Sequence, residues 1–310
     1  MQGKIPVIVI VGPTASGKTM LGVNVAKALG GEVVSADSMQ VYKSMPIASA
    51  APSPEEMQGV KHHLIGILEQ NEKFSVADFI KLASVTISDI YSKGKLPIIV
   101  GGTGLYIDSL INGITFGDED SGEIRRQLEA EVEESGLESL MDKLKRLDPE
   151  TAQRLHINDR KRIIRALEVY SLHGKTLTEI NEESKLQGSK FEPCFIGLTF
   201  KDRELLYDRI NKRVDIMLDN GLLEEARTSF CKDISATAVQ AIGHKELFPY
   251  FKGECSLEAA IESLKTATRH YAKRQLTWFR RNQSINWIYA DVTPNVTDEA
   301  LGIINKHFGR

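Results

Sequence analysis

Gly12, Gly17, Lys18 and Thr19 stand in the order G-x-x-x-x-G-K-T within GPTASGKT. That spacing builds an anion cradle. The two glycines let the backbone turn tightly and approach a charged group with no side chain in the way. Successive amide N–H groups then converge on phosphate oxygens at the start of a helix. Lys18 adds a point charge, and the Thr19 hydroxyl can ligate Mg²⁺. Loops of this kind usually hold ATP or GTP. The β-branched run IPVIVIV leads into the loop, and MLGVNVAKAL follows with helical spacing. Strand and helix thus stand where a phosphate site needs them, and Gly12, Pro13, Thr14, Ala15, Ser16, Gly17, Lys18 and Thr19 form the expected phosphate-binding segment.

Other residues could act beside it. Asp37, in SADSMQVY, ends a second apolar run. An acid there is commonly a helix cap or turn former. The hydrogen-bonding neighbours Ser38, Gln40 and Tyr42 favour a functional carboxylate instead. GGTGLY, from Gly101 to Tyr106, ends a third run, where a nucleotide hydrolase often carries an Asp to place Mg²⁺ or water. Its glycines would let a ligand come close and Thr103 could donate to a leaving phosphate, although a plain glycine-rich turn reads the same way. From Ser263 to Ala290 there is no Asp or Glu. Lys265, Arg269 and Lys273 recur every four residues and so share a helix face, with Arg274, Arg280, Arg281, His270, Tyr271, Trp278 and Phe279 interleaved. A second basic group is Arg160, Lys161, Arg162 and Arg165. Such runs are often merely solvated; acid-free stretches with aromatics more often bind a polyanion. His62 and His63 have no partners at metal-ligand spacing, and we read them as structural.

The elements that must position these residues alternate. PVIVIV, EVVSADS and LPIIVGGTG are strand-like, with helical segments between them. A parallel sheet with its site at the strand C-termini is therefore expected. After INGITFGDED the character changes to charged helices, and CFIGLTF returns as a strand. We divide the chain into a core of residues 1–121 and 186–310 and a helical insertion at 122–185, bounded by the Gly/Asp-rich lead-in and by KLQGSKFEP. The 310 residues carry a net charge of −3, so a nucleic-acid site has to be a local patch. Three scattered cysteines argue against a zinc site or a disulfide framework and suit a reducing, cytoplasmic setting. The N-terminal apolar run is too short to span a membrane.

GPTASGKT, SADSMQVYKSM, GGTGLY, HINDRKRIIRALEVY, GKTLTE, YDRINKRVDIML and YAKRQLTWFRRN together, in this order, resemble the bacterial form of the tRNA dimethylallyltransferase (isopentenyl-tRNA transferase) family. The resemblance covers nearly the whole chain. It implies an α/β fold, a P-loop NTPase-like parallel sheet flanked by helices, with an inserted all-helical subdomain. It implies that the loop holds the diphosphate of dimethylallyl diphosphate, with Mg²⁺ on Thr19, and that the prenyl group goes to N6 of the adenine 3′ to the anticodon of a tRNA. By the same resemblance Asp37 takes the amino proton, and Thr103 and Arg213 act at the diphosphate or reacting centre. The implied tRNA contacts are Asp37, Ser38, Met39, Gln40, Thr103, Arg126, Lys161, Arg162, Ile163, Ile164, Arg165, Gln240, Lys245, Lys273, Arg274, Gln275 and Arg280. A monomer without membrane attachment is expected. Three positions depart from the family pattern: IASAAP at Ile47–Pro52 where IGTAKP is common, His244 where Tyr is usual, and Gly66 where Asp is usual. A small-molecule P-loop kinase shares the loop and an Asp after the second strand, and would consume ATP. A non-catalytic RNA-binding module with a degenerate loop would have no reason to keep Lys18, Thr19, Asp37 and Thr103 together.

Overall fold

The computed structural model describes residues 3–114, 122–231 and 237–309. The acidic lead-in GDED, residues 117–120, lies outside the described residues. The chain forms two compact units: Met1–Asp108 with Phe191–Arg310, and Ser109–Lys190.

The first unit begins with β1 (Ile5–Val11), α1 (Lys18–Leu29), β2 (Gly31–Ser35), α2 (Pro54–Met57), β3 (His62–His63), α3 (Val76–Ser92), β4 (Leu96–Gly101) and the start of α4 (Gly104–Ile111). The second unit holds α5 (Gly122–Leu147), α6 (Pro149–Arg154), α7 (Arg160–His173) and α8 (Leu177–Gln187). The first unit resumes with β5 (Phe191–Thr199), α9 (Arg203–Asp219), α10 (Leu222–Phe230), α11 (Phe248–Phe251), α12 (Leu257–Phe279), β6 (Asn286–Tyr289) and α13 (Val296–Phe308).

The six strands form one sheet in the order β3-β2-β4-β1-β5-β6, parallel throughout. β1 is its middle. Val7 to Val11 are fully buried, as a strand covered on both faces requires, and this is why IPVIVIV reads as a continuous apolar run instead of alternating. On one face β1, β4 and β5 pack through Ile8, Ile10, Ile98 and Ile196 against Leu21 and Val25 of α1 and Ala300 and Ile304 of α13. Elsewhere the Phe79 ring of α3 stacks on Tyr106 at 4.5 Å.

Helix ends follow local chemistry. Ser75 and Asp78 form a reciprocal capping box on α3, and Ser256 caps α12. α1 differs: its N-cap is Gly17, with no side-chain cap and no acid in the first turn. Its first amides are left for an external acceptor.

Two local readings change. His62–His63 is a short edge strand paired with Val33 and Val34, so GGTG ends the fourth strand, not the third; two residues carry no period to read. The helix over 122–147 breaks at Gly136, whose φ of 79° is left-handed. In the second unit Leu128, Leu140, Leu144, Ile163 and Leu167 share a core. Buried Asp148 ties α6 to α8, accepting from the Thr151 amide at 3.0 Å and the Thr178 hydroxyl at 2.6 Å.

Candidate active site

At the C-terminal ends of β1, β2 and β4 the first unit holds a cavity of about 380 Å³. Its lining combines polar groups, among them Thr14, Lys18, Thr19, Asp37, Arg213 and Tyr271, with apolar ones, among them Ala48, Pro52, Val214, Met217, Ile242 and Leu264.

The phosphate loop is shaped by its own sequence. A Cβ on Gly12 would lie 2.6 Å from the Leu198 carbonyl oxygen, so no other residue fits there. Ala15 sits at a φ of 62°, a costly conformation for a residue with a side chain. Its carbonyl is held by Arg209 Nε of α9 at 3.0 Å. Lys18 Nζ folds back to the Pro13 carbonyl at 3.2 Å. Burial pushes the Lys18 ammonium down to about 8, opposed by Asp37 and reinforced by Arg213. Ser16 Oγ is buried without a partner among the described residues. The loop therefore presents uncapped helix amides, a desolvated cation and an orphaned hydroxyl, an arrangement complementary to an anion.

Asp37 follows β2. One of its oxygens accepts the Met39 amide at 2.9 Å, which fixes the carboxylate at the cavity wall. Arg213 of α9 lines the same cavity, and burial lowers its pKa against the opposing pull of Glu56 and Asp37. Thr103 stands one bond behind the lining residues. Its Oγ1 accepts the Ser38 amide at 3.1 Å, and it is hydrogen-bonded to Tyr271, whose phenol is pushed upward chiefly by burial and then by Asp37. Ser38, Met39, Gln40, Gln240, Lys245, Arg274 and Gln275 also line the cavity.

Gln275 lies inside the protein, 4% exposed. Its oxygen accepts the Thr14 amide at 2.8 Å and its nitrogen donates to the Gly102 carbonyl at 3.1 Å. It couples the phosphate loop to the end of β4. This also revises the reason for GGTG. A Cβ on Gly101 would collide with the Ala36 carbonyl, on Gly102 with Gln275, and on Gly104 with Trp278. These glycines admit protein, not ligand, although Gly101 keeps one side on the cavity.

The basic stretch of α12 divides. Lys265 pairs with Asp215 of α9 at 2.6 Å, and Arg269 binds Asn211 of α9 at 2.8 Å and Glu262 at 3.0 Å. Lys265 thus clips α12 to an acid of α9, and Arg269 clips it to an amide of α9 while its acid partner, Glu262, lies on α12 itself, so the two do not join Lys273 in one free face. Lys273, Arg274 and Arg280 are exposed, and Arg281 lies over the Trp278 ring at 4.0 Å. In the second unit Lys161, Arg162 and Arg126 are exposed, while Arg165 pairs with buried Glu168 at 2.9 Å. Ile163 and Ile164 face the interior of that unit.

Sequence reasoning missed His62, which lines the cavity. Its Nδ1 bonds the Val60 carbonyl at 2.9 Å, and burial holds its pKa below the ordinary value. No spacing marked it. Among the described residues no group of three or more His, Cys, Asp or Glu could cage a metal. A hydroxyl and a single carboxylate in one cavity nonetheless suit Mg²⁺, which keeps its waters and binds largely through substrate phosphates.

An α/β core with a phosphate loop that shares its cavity with a fixed carboxylate and several apolar side chains defines a group-transfer protein for a phosphorylated substrate. The IPP transferase family model matches residues 40–282, and an isopentenyl transferase model matches residues 5–70. A tRNA dimethylallyltransferase of Thermoanaerobacter sp. (strain X514) is 49% identical over 99% of this chain and 98% of its own. That of Geobacillus thermodenitrificans (strain NG80-2) is 51% identical over 91% and 89%. The solved full-length tRNA isopentenylpyrophosphate transferase of Bacillus halodurans superposes with a TM-score of 0.73 at 45% identity, covering 99% of this chain and 96% of its own. A eukaryotic dimethylallyltransferase solved acting on tRNA gives 0.82 at 31% identity, over 98% and 80%. The chain belongs to the tRNA dimethylallyltransferase family of prenyltransferases. Nothing among these findings favours the kinase alternative.

Proposed function

We propose that this chain transfers the dimethylallyl group of dimethylallyl diphosphate to N6 of the adenine 3′-adjacent to the anticodon of a tRNA, releasing diphosphate. The observation that carries this reading is the phosphate loop sharing one cavity with Asp37 and with apolar side chains such as Val214, Met217 and Leu264. The loop amides, Lys18 and Arg213 take the diphosphate. The allylic C–O bond breaks as N6 attacks carbon 1, and both bonding electrons leave with diphosphate. Stabilising that departing charge is the main electrostatic task.

An exocyclic amine is a poor nucleophile because its lone pair is delocalised into the ring. Asp37, held by the Met39 amide, accepts its proton as the new C–N bond forms. Thr103 acts through Ser38 and Tyr271, shaping the reacting centre. Mg²⁺ would be held by the Thr19 hydroxyl and substrate oxygens, and would add positive charge at the diphosphate. The adenine is stacked in free tRNA and must be flipped out to reach the cavity.

Ser38, Met39, Gln40, Gln240, Lys245 and Arg274 would meet the nucleotide at the cavity. Lys273 and Arg280 would meet the backbone, as would Arg126, Lys161, Arg162 and Arg165 of the helical unit. We assign the RNA-gripping role to the expected segment 122–185 on the strength of that basic group. Monomeric action in the cytoplasm belongs to the same proposal; among the described residues no helix is long and apolar enough to cross a membrane.

The test is incubation with labelled dimethylallyl diphosphate, Mg²⁺ and unmodified tRNA, without ATP. Label should appear in the RNA. A strict requirement for ATP, or phosphate transfer to a small molecule, would overturn the assignment.

A further inference from the structure

Four of the lining residues, Ala48, Ser49, Ala50 and Pro52, belong to one loop, Met45–Pro52, that makes part of the cavity wall. The loop is bound from two sides. On the cavity side Gln40 Nε2 donates to the Ala50 carbonyl at 3.2 Å, with Gln40 itself oriented by Ser35 at 2.7 Å. On the other side the Glu225 carboxylate of α10 accepts two successive loop amides, Ile47 N at 2.8 Å and Ala48 N at 2.9 Å. A carboxylate gripping two adjacent amides fixes both their position and their direction.

Glu225 is itself aimed. His244 Nε2 donates to its Oε1 at 3.0 Å, the oxygen that also takes the Ala48 amide. His244 is fully buried, and its Nδ1 has no partner among the described residues, so this one hydrogen bond is what its ring makes. The neighbouring Gly243 comes so close to the loop that a Cβ there would lie 3.3 Å from Ala48 Cβ. Residues on either side of His244, Ile242 and Lys245, line the cavity. Two of the three departures from the family pattern, the Ile47–Pro52 loop and His244, are thus one hydrogen-bonded unit.

We propose that His244 is a positioning residue for the prenyl-binding wall: through Glu225 it holds the Ile47–Ala50 loop against the cavity and so sets affinity for the isoprenyl tail. The inference rests on the cavity taking dimethylallyl diphosphate. The loop gives the cavity the apolar Ala48, Ala50 and Pro52, and Val214, Met217 and Leu264 line the same cavity. An alkyl tail gains from such a wall only where it is close enough for dispersion contact, and a radial gap of about 0.5–1 Å forfeits a quarter to a half of that. The phosphate loop makes no hydrogen bond to the clamp among the described residues, so recognition of diphosphate should not depend on it.

His244→Leu fills the same space and removes the hydrogen bond. The KM for dimethylallyl diphosphate should rise about tenfold, the scale of removing one charge-assisted hydrogen bond. Competitive inhibition by inorganic diphosphate should stay within about twofold, because it reads the phosphate loop alone. His244→Gln, whose Nε2 can still reach a carboxylate, should restore the KM. Should His244→Leu fail to fold, judged by circular dichroism, Glu225→Gln makes the same test, since an amide cannot accept from both loop N–H groups and the imidazole. Parallel changes in KM and in the diphosphate Ki, no change in either, or no rescue by Gln would overturn the proposal. If the parent protein does not prenylate tRNA, the reading of the cavity has failed, and the clamp is not what was disproved.

Discussion

Asp37 and Lys18 face one cavity with different tasks, and their substitutions should separate. Asp37 is proposed to act on the adenine proton, an interaction made mostly in the transition state. Asp37→Ala should lower the single-turnover rate by about 10²–10⁴-fold, the range of a positioned base, with much smaller changes in tRNA and diphosphate affinity. Lys18 meets phosphate before and during reaction, so Lys18→Ala should weaken diphosphate binding as well as turnover. Near-parent turnover of saturated Asp37→Ala would reduce Asp37 to a turn former. Lys18 also sets a pH dependence. In the free protein its pKa is depressed to about 8 by burial, and a bound diphosphate favours the charged form and raises it. Below pH 8 the ammonium is present in both states and binding is level. Above it, binding must take up a proton, and the dissociation constant should rise by up to about tenfold per pH unit. Titration calorimetry in buffers of different ionisation heat reads that proton directly. Lys18→Ala should bind weakly at every pH without the inflection.

At the scale of elements, α12 does two jobs with one run of basic residues. Its Gln275 braces the phosphate loop and the end of β4. Its Lys265 and Arg269 bind α9, which carries Arg209 and Arg213 to the site. Its Lys273 and Arg280 remain exposed. Neutralising Lys273 and Arg280 together should flatten the slope of log tRNA affinity against log salt by roughly 0.7–0.9 for every phosphate that loses its cation. Arg269→Gln should leave that slope alone and lower the melting temperature, because it cuts a helix–helix clip. Filter binding across a salt series and thermal melts distinguish the two; a changed slope in Arg269→Gln would return it to the RNA face.

For the whole molecule, the two units carry separate cores, one on the sheet and one among α5, α6 and α7. Each core is closed by its own apolar residues, so the first unit should survive loss of the second. Replacing 122–185 by a Gly/Ser linker should leave a folded protein that binds diphosphate with near-parent affinity and prenylates tRNA poorly. Cooperative unfolding of the sheet unit in that variant would show instead that the helices are part of its core.

Much of this was legible in the chain. The phosphate loop is a local code: glycine spacing, a lysine, a hydroxyl and the flanking strand and helix are all set within a short stretch of chain, so the loop could be read without a fold. The continuous apolar runs similarly announced a buried parallel sheet, because burial on both faces removes alternation. Asp37 was legible as a candidate, through its place after a strand. What the chain alone left undecided depends on contacts across long stretches of sequence. Gln275 reads as one polar residue in a basic helix until it is found between Thr14 and Gly102. The glycines of GGTG read as room for ligand until Gln275 and Trp278 are seen to fill it. Arg269 reads as part of a free basic face until Asn211 is beside it. His62 and His244 carry no spacing signal, yet one lines the cavity and the other aims the carboxylate that holds its wall. A short motif is written in adjacent residues because its geometry is made by adjacent dihedral angles. A brace or a clamp is written in two distant places, and only the packed structure brings them within a hydrogen bond of each other.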